Sequence, residues 1–186
     1  MQRLPLIDPG STSTDSKTLD RNALLAEVHG AFGATPNMFR AVANSPAALR
    51  MMWSAFGALG QGSLSPRLGE QIAVAIADRN QCEYCLAAHT ALGRKAGASA
   101  EEMTLAQSGG SSDPAVAAAL AFALKLVEYR GQVSGADVQR LRDNGYSDEQ
   151  IMEILAHVAL NIFTNYTNVA FAVPVDFPAV ALRRRA

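Results

Sequence analysis

Apolar residues along most of the chain recur three or four positions apart, which is the spacing of an amphipathic helix. Gly, Pro and Ser residues of the kind that start and stop helices separate these segments. The pattern predicts nine helices, with expected ranges of about 18–32, 36–44, 46–60, 66–78, 82–96, 99–107, 114–129, 135–143 and 148–172. Strand-like alternation is scarce, and alanine, the strongest helix former, accounts for 34 of the 186 residues. The expected fold is all-α.

The helical pattern predicts one domain. Residues 1–17 are rich in Pro, Ser and Thr and are expected to form an irregular N-terminal arm. Residues 18–186 are expected to form a single compact multi-helix domain, because the clearest loop, at 109–113, is too short to separate two domains. The helix at 66–78 is apolar on nearly every face after its first turn, which predicts that it is buried.

Charge and composition narrow the function classes. The chain carries 16 Lys and Arg against 17 Asp and Glu, a net charge of −1, which lacks the basic footprint of a nucleic-acid binder. No apolar run approaches the roughly 18–20 residues that span a bilayer, and the opening segment MQRLPLIDPG lacks the apolar core of a secretory signal. Two cysteines are too few for a disulfide-stapled secreted domain. We therefore expect a cytoplasmic protein that binds neither nucleic acid nor membranes.

Both cysteines lie in one motif, Cys82-Glu83-Tyr84-Cys85, at the expected start of a helix. Residues three apart share a helix face, so the two sulfurs can approach each other. Free backbone N–H groups and the helix dipole at this end favour a thiolate. A thiolate beside a second thiol is what a redox cycle requires.

Two further residues can serve that chemistry. His89 follows Cys85 by four residues on the same stripe, where its imidazole can reach the sulfur directly or through one water. Glu70 lies on the otherwise apolar helix before the motif; if the two helices fold back near Asn80, it comes to lie beside His89. Burial would then raise the pKa of the Glu70 carboxyl towards the range of a general base. The alternatives are an exposed glutamate in a first helical turn and a histidine hydrogen-bonded on a helix surface.

The final helix carries a polar stripe. Its members are spaced four, four and three residues apart and share one face: His157, Asn161, Asn165 and Asn168. Buried, such a stripe needs hydrogen-bond partners; exposed, it is a solvated face, and the sequence leaves both open. His29 and His157 have no comparable partners in the sequence, and we expect structural roles for both.

Four residues form a pattern of fixed spacing: Glu70, then Cys82 twelve positions later, Cys85 and His89. This pattern resembles the signature of the AhpD-like alkylhydroperoxidases within the carboxymuconolactone decarboxylase superfamily. The upstream stretch TPNMFRAVANSP and the Gly after the cysteine helix resemble the same family. The resemblance implies an all-helical subunit that assembles into a homo-oligomer, usually a trimer or hexamer. It also implies reduction of a hydroperoxide through a dithiol–disulfide cycle.

The roles of individual residues follow from the resemblance. It implies that Cys85 is the attacking thiolate, that Cys82 is the resolving thiol, and that Glu70 and His89 form the proton relay. An external dithiol must restore the pair, and in the best-known relatives this is a lipoyl group on a partner protein. Those relatives have a histidine immediately before the second cysteine, where this chain has Tyr84, a poor proton carrier near neutral pH.

Three other functions compete with this interpretation. Cys82, Cys85, His89 and Glu70 could ligate zinc, but structural zinc sites usually draw on a second Cys or His pair, and the chain has no other cysteine. A decarboxylase acting on a lactone acid belongs to the same superfamily but does not depend on a cysteine pair. A non-enzymatic helical assembly subunit is the third. We expect no bound metal and no cofactor.

Overall fold

The computed structural model describes residues 1–10 and 15–183. This part of the chain is all-α and contains no strand, which confirms the expected fold class. Its nine helices are α1 (Ser16–Phe32), α2 (Asn37–Val42), α3 (Pro46–Leu59), α4 (Pro66–Arg79), α5 (Glu83–Lys95), α6 (Ala100–Gln107), α7 (Pro114–Glu128), α8 (Gly135–Asp143) and α9 (Asp148–Phe171).

Helix ends follow local capping chemistry. The Ser65 hydroxyl accepts the Leu68 N–H at the start of α4, and Ser147 with Gln150 forms the expected capping box of α9. Helix α1 begins two residues before the expected Thr18, because the Asp15 carboxylate accepts the Thr18 N–H and so caps the helix earlier. Pro36, expected as the first residue of α2, is its N-cap.

Helix α4 lies at the centre of the molecule, as its apolar pattern predicts. Val74 and Ala77 join a core cluster that also contains the two cysteines and residues of α1, α2 and α3. Ile72 and Ile76 join a second cluster with α7, α8 and α9. Truncating either isoleucine to Ala should cost about 2–5 kcal/mol, since both are fully buried. Helix α4 therefore packs between two hydrophobic clusters, and this packing fixes the position of Glu70.

Helix α5 folds back along α4 through a short turn. Asn80 ends α4, Gln81 adopts a left-handed backbone conformation with φ of 56°, and the Cys82 N–H donates to Ala77 O at 2.9 Å. Gly93 permits the close packing of α5: a Cβ there would lie 2.5 Å from Met103 Cε and 3.3 Å from Glu70 Cβ. This turn brings the start of α5 next to α9 and the middle of α5 next to Glu70.

Both ends of the described chain lie along the helical body. Residues 1–10 are irregular, and the Ile7 N–H donates to Arg40 O. The segment 173–183 follows α9 and crosses the molecule, with Asp176 accepting the Asn37 N–H and Asp78 accepting the Arg183 N–H. Of the rest of the expected arm, residues 11–14 lie outside the described residues, Asp15 is the N-cap of α1, and residues 16 and 17 belong to that helix. Among the described helices, none is both long enough and apolar enough to cross a membrane.

Candidate active site

The two cysteines occupy different positions at the start of α5. Cys82 is the N-cap, and its sulfur accepts the Cys85 backbone N–H at 3.3 Å. Cys85 lies in the first turn. Both are free thiols, and both are 1% exposed. The motif spacing therefore places the two sulfurs on one helix turn inside the core.

The environments of the two thiols shift their pKa values in opposite directions. Hydrogen bonding with Cys85 lowers the pKa of Cys82, further helped by backbone N–H groups and opposed by burial. Burial raises the pKa of Cys85 well above its ordinary value, and hydrogen bonding with Cys82 adds to this. Negative charge on the pair is thus favoured at the N-cap sulfur, where the helix start stabilises it.

Glu70 and His89 lie together, as the helical hairpin predicts. Glu70 Oε2 lies 2.7 Å from His89 Nδ1, and their side chains are 23% and 12% exposed. The burial expected for Glu70 is therefore partial. In the described part of the chain, no direct hydrogen bond joins the imidazole to either sulfur. His89 and Cys85 instead share a wall of one cavity, which leaves the route through a water.

In the described part of the chain, three cavities lie against the cysteines, Glu70 and His89. The aromatic cavity, of about 40 Å³, lies against Cys85 and His89 and is lined almost entirely by apolar side chains, among them Phe32, Phe39, Phe56, Tyr84 and Phe177. The Glu70 cavity, of about 150 Å³, lies on the other side of His89 and contains His157 and Asn161. The Cys82 groove, of about 400 Å³, is more open and is lined by Cys82, Glu83, Asn168 and residues 172–175. Cys85 and Cys82 therefore face different spaces.

The polar stripe of α9 is buried, which settles the choice that the sequence leaves open. Asn161, Asn165 and Asn168 are 4%, 0% and 3% exposed. Asn168 Nδ2 donates to Cys85 Sγ at 3.1 Å, and Asn165 Oδ1 accepts from Asn80 Nδ2 at 3.1 Å. Motif reasoning missed Asn168, although its spacing in the stripe was the available signal.

His157 lies close to Glu70 and His89, although the sequence shows no partner for it. It lines the Glu70 cavity with His89, and it packs so tightly on α4 that a Cβ at Gly69 would lie 3.0 Å from its Cε1. Burial lowers its pKa, while the charges of Glu70 and Glu153 act in the opposite direction. His29, by contrast, is on the surface beside Thr35.

Tyr84 is a wall of the aromatic cavity. Its hydroxyl accepts the Met38 N–H at 3.1 Å, and its ring packs edge-on against Phe177 with centroids 5.7 Å apart. Burial raises the pKa of its phenol well above the ordinary value. Tyr84 therefore remains protonated and cannot shuttle protons as an imidazole would.

The zinc ligands that the sequence offers do not come together as one group. Among the described residues, no three or more His, Cys, Asp or Glu side chains converge as metal ligands. Glu70 and His89 are hydrogen-bonded to each other. The Cys82 sulfur accepts the Cys85 backbone N–H, and the Cys85 sulfur accepts a hydrogen bond from Asn168. Contacts of this kind, a carboxylate with an imidazole and a thiol with an amide, are also used in proton transfer and thiol chemistry.

The family model of the carboxymuconolactone decarboxylase family matches residues 46–129, which include Glu70, both cysteines and His89. A peroxidase-related protein with the alkylhydroperoxidase AhpD core from Ralstonia eutropha JMP134 is similar over 94% of this chain and 92% of its own, with 27% identity and a TM-score of 0.83. Comparison with curated proteins finds no match.

Two further solved structures share the fold. A peroxidase-related protein from Silicibacter sp. TM1040 is 24% identical, with 93% of this chain and 91% of that chain covered and a TM-score of 0.78. The debrominase Bmp8, crystallised as a cysteine-to-alanine variant with 2,3,4-tribromopyrrole, is 19% identical, with 95% and 94% covered and a TM-score of 0.76. At these identities the likeness concerns the fold.

Proposed function

We propose that this chain, whose residues 46–129 match the carboxymuconolactone decarboxylase family model and which is 27% identical to a protein with the AhpD core, is an AhpD-like enzyme that reduces hydroperoxides through a dithiol–disulfide cycle at Cys82 and Cys85. One observation carries the proposal: a buried thiol pair at a helix start lies beside a hydrogen-bonded Glu70–His89 pair and an apolar cavity. The cavity suits the organic part of an alkyl hydroperoxide, and the carboxylate–imidazole pair suits the proton transfers.

Peroxide reduction begins at Cys85, which lines the aromatic cavity with His89. The Cys85 thiol gives its proton to His89 through a water, and Glu70 stabilises the resulting imidazolium. The thiolate attacks the terminal peroxide oxygen, the O–O bond breaks, and the alkoxide takes the proton from His89 to leave as an alcohol. Cys85 is now a sulfenic acid, oxidised by two electrons.

Resolution then uses Cys82, whose sulfur is the N-cap of α5 and accepts the Cys85 backbone N–H, a contact that favours its thiolate. This thiolate attacks Cys85 Sγ, the S–S bond forms, and the hydroxyl group leaves and is protonated to water. An external dithiol returns two electrons and two protons, forming its own disulfide. The Cys82 groove is the more open approach and suits a long flexible carrier such as a lipoyl group on a partner protein.

The subunit should also assemble into a homo-oligomer. The outward face of α9 carries exposed apolar side chains near both ends of the helix, namely Met152, Leu155, Tyr166 and Val169. A surface stripe of this kind is typical of protein–protein contact. A second copy of the chain is the occupant that we propose.

The test of the function is thiol titration with stopped-flow addition of an alkyl hydroperoxide. One equivalent should remove two free thiols from the wild-type protein and release one alcohol. Cys85→Ser should abolish turnover, whereas Cys82→Ser should allow one oxidation to a sulfenic acid without a disulfide. Unchanged thiols after peroxide would refute the enzyme and favour the helical assembly subunit.

The relay has its own test. Glu70→Gln should raise the apparent pKa of thiol alkylation, because the His89 imidazolium loses its anionic partner and stabilises a thiolate less. Glu101→Gln, an exposed first-turn glutamate of α6, is the matched control. Identical alkylation profiles for the two variants would remove Glu70 from the relay.

A further inference from the structure

The two sulfurs receive hydrogen bonds from different parts of the chain. Cys82 is the N-cap of α5, and its sulfur accepts the Cys85 backbone N–H. The donor of this hydrogen bond therefore belongs to the first turn of the helix itself. Cys85 lies three residues further on, in the first turn of α5, and its own backbone N–H is used by the Cys82 sulfur. The donor observed at its sulfur is a side chain from another helix: Asn168 Nδ2 of α9, at 3.1 Å.

In the described part of the chain, the Asn168 amide is buried in an orientation that leaves one of its polar atoms without a hydrogen bond, which destabilises the folded protein. It is 3% exposed, and within the described residues its Oδ1 has no hydrogen-bond partner. A buried amide oxygen without a partner costs about 1–3 kcal/mol. The amide is nevertheless oriented with its NH₂ group on the sulfur, which points to a functional demand for a donor there.

A second amide supports the first. Asn165, one turn earlier and fully buried, has its Oδ1 fixed by Asn80 at the end of α4, which turns its Nδ2 away from Asn80. Hydrogen bonding to the Asn168 and Asn165 amides lowers the pKa of Cys85, against the larger opposing effect of burial. The direct hydrogen bond to the sulfur comes from Asn168, whereas Asn165 Nδ2, among the described residues, has no hydrogen-bond partner.

We propose that Asn168, supported by Asn165, is the hydrogen-bond donor that stabilises negative charge on the Cys85 sulfur. Its role in catalysis rests on the proposed peroxide reduction. Asn168 contacts the reacting atom, so it is a catalytic residue of that cycle, and Asn165 is a positioning residue.

The charge appears on Cys85 at two points of the cycle. The first is loss of the thiol proton before attack on the peroxide. The second is reduction of the disulfide: an external thiolate bonds to Cys82 Sγ, the S–S bond breaks, and its electron pair leaves on Cys85 Sγ. A donor that is already in place costs no reorganisation at either point. The second thiol of the reductant then releases Cys82, and Cys85 is reprotonated.

The experiment measures alkylation of Cys85 by iodoacetamide against pH, in Cys82→Ser so that one thiol remains. Asn168→Leu, which matches asparagine in size but has no donor, should raise the pKa of the Cys85 thiol by about one. Asn168→Asp should raise it further, because it replaces the donor by a negative charge. Thr164→Val is the control: this buried α9 hydroxyl donates to Asn161 O of its own helix and does not contact sulfur.

The same substitutions distinguish the two sulfurs. In Cys85→Ser, Asn168→Leu should shift the pKa of the Cys82 thiol less, because Asn168 is only one of the donors that lower this pKa and the backbone donors remain. With both cysteines present, Asn168→Leu should slow peroxide oxidation at pH 7 about tenfold, because a pKa higher by one leaves a tenfold smaller thiolate fraction.

An unchanged Cys85 profile in Asn168→Leu, or an equal shift in Thr164→Val, would overturn the inference. Should Asn168→Leu not fold, Asn168→Asp carries the same test. Alkylation needs no peroxide, so a chain whose Cys85 profile shifts as expected but whose thiols ignore hydroperoxide would refute the proposed function and leave the amide assignment standing.

Discussion

Two identical thiols, three residues apart, acquire different properties from their hydrogen-bond donors. Cys82 accepts the Cys85 backbone N–H, a group that a helix start leaves without a partner inside the helix, and hydrogen bonding with Asn168 is a smaller cause of its lowered pKa. Cys85 depends on the side chain of Asn168, 83 residues away in the chain. The difference in reactivity between the sulfurs thus arises from a local hydrogen bond at the helix start and a long-range hydrogen bond from Asn168.

Tyr84 allows a prediction at the same scale. Tyr84→Phe keeps the ring against Phe177 but leaves the buried Met38 N–H without its acceptor, so the free energy of unfolding should fall by about 1–2 kcal/mol. Peroxide turnover and its pH profile should not change, because the phenol carries no proton in the cycle. Urea unfolding and steady-state kinetics measure the two effects.

A matched control is Tyr146→Phe, which removes a hydroxyl that donates to Ala115 O, outside the site. Both variants should lose stability by similar amounts. A hundredfold loss of turnover in a folded Tyr84→Phe protein, with Tyr146→Phe unaffected, would contradict the assignment of Tyr84 as a cavity wall and return it to the proton path.

Among the elements, α9 does most to hold the site together, since it contacts α3, α4 and α5 as well as carrying the asparagines. Its Glu153 carboxylate accepts the backbone N–H groups of Ser63 and Leu64, each at 2.9 Å, in the loop before α4. A Cβ at Gly62 would lie 2.8 Å from Glu153 Oε1. The carboxylate thus fixes the loop that leads to Glu70.

This contact predicts a pH-dependent stability. The loop N–H groups lower the pKa of Glu153 below its ordinary value. The stabilisation is therefore complete above that ordinary value and is lost as the pH falls through the lowered pKa. Glu153→Gln should cost about 1 kcal/mol at pH 7, a modest figure because the group is partly exposed to water.

The difference between wild type and Glu153→Gln should shrink towards pH 3, as thermal unfolding at several pH values will show. Glu149→Gln, an exposed carboxylate in the first turn of the same helix, is the control. An equal loss at pH 3 and pH 7 would mean that the loop does not depend on the Glu153 charge.

Local signals account for most of what the sequence predicts correctly. Caps such as Ser65 and Ser147 interact within three residues, so they mark helix starts without knowledge of the fold. The Glu70–His89 contact follows from one helical hairpin. The partners of Asn168 and Tyr84 lie 83 and 46 residues away, and only the packing of whole helices brings them together. No local pattern could assign them.

At the scale of the whole molecule, the outward stripe of α9 predicts the assembly state. Tyr166 is 59% exposed in the single chain. Tyr166→Lys would be nearly neutral on a solvent-exposed surface but would bury a charge at a subunit contact. Sedimentation velocity should therefore show an oligomer for wild type and a smaller species for Tyr166→Lys.

Tyr129→Lys provides the comparison, since Tyr129 is similarly exposed, at 56%, but lies at the end of α7 away from the stripe. It should sediment as wild type does. A monomeric wild-type protein, or equal dissociation of both variants, would exclude α9 as the contact between copies.

The position of Cys82 as a helix cap has an energetic consequence for the pair. A thiolate accepts the Cys85 N–H well, whereas a disulfide sulfur is a weak acceptor, so oxidation weakens the cap of α5. Whatever stabilises the reduced form alone raises the reduction potential of the couple. Because the Cys82 cap stabilises the reduced protein more than the disulfide form, the disulfide is more oxidising. An external dithiol therefore reduces it more easily.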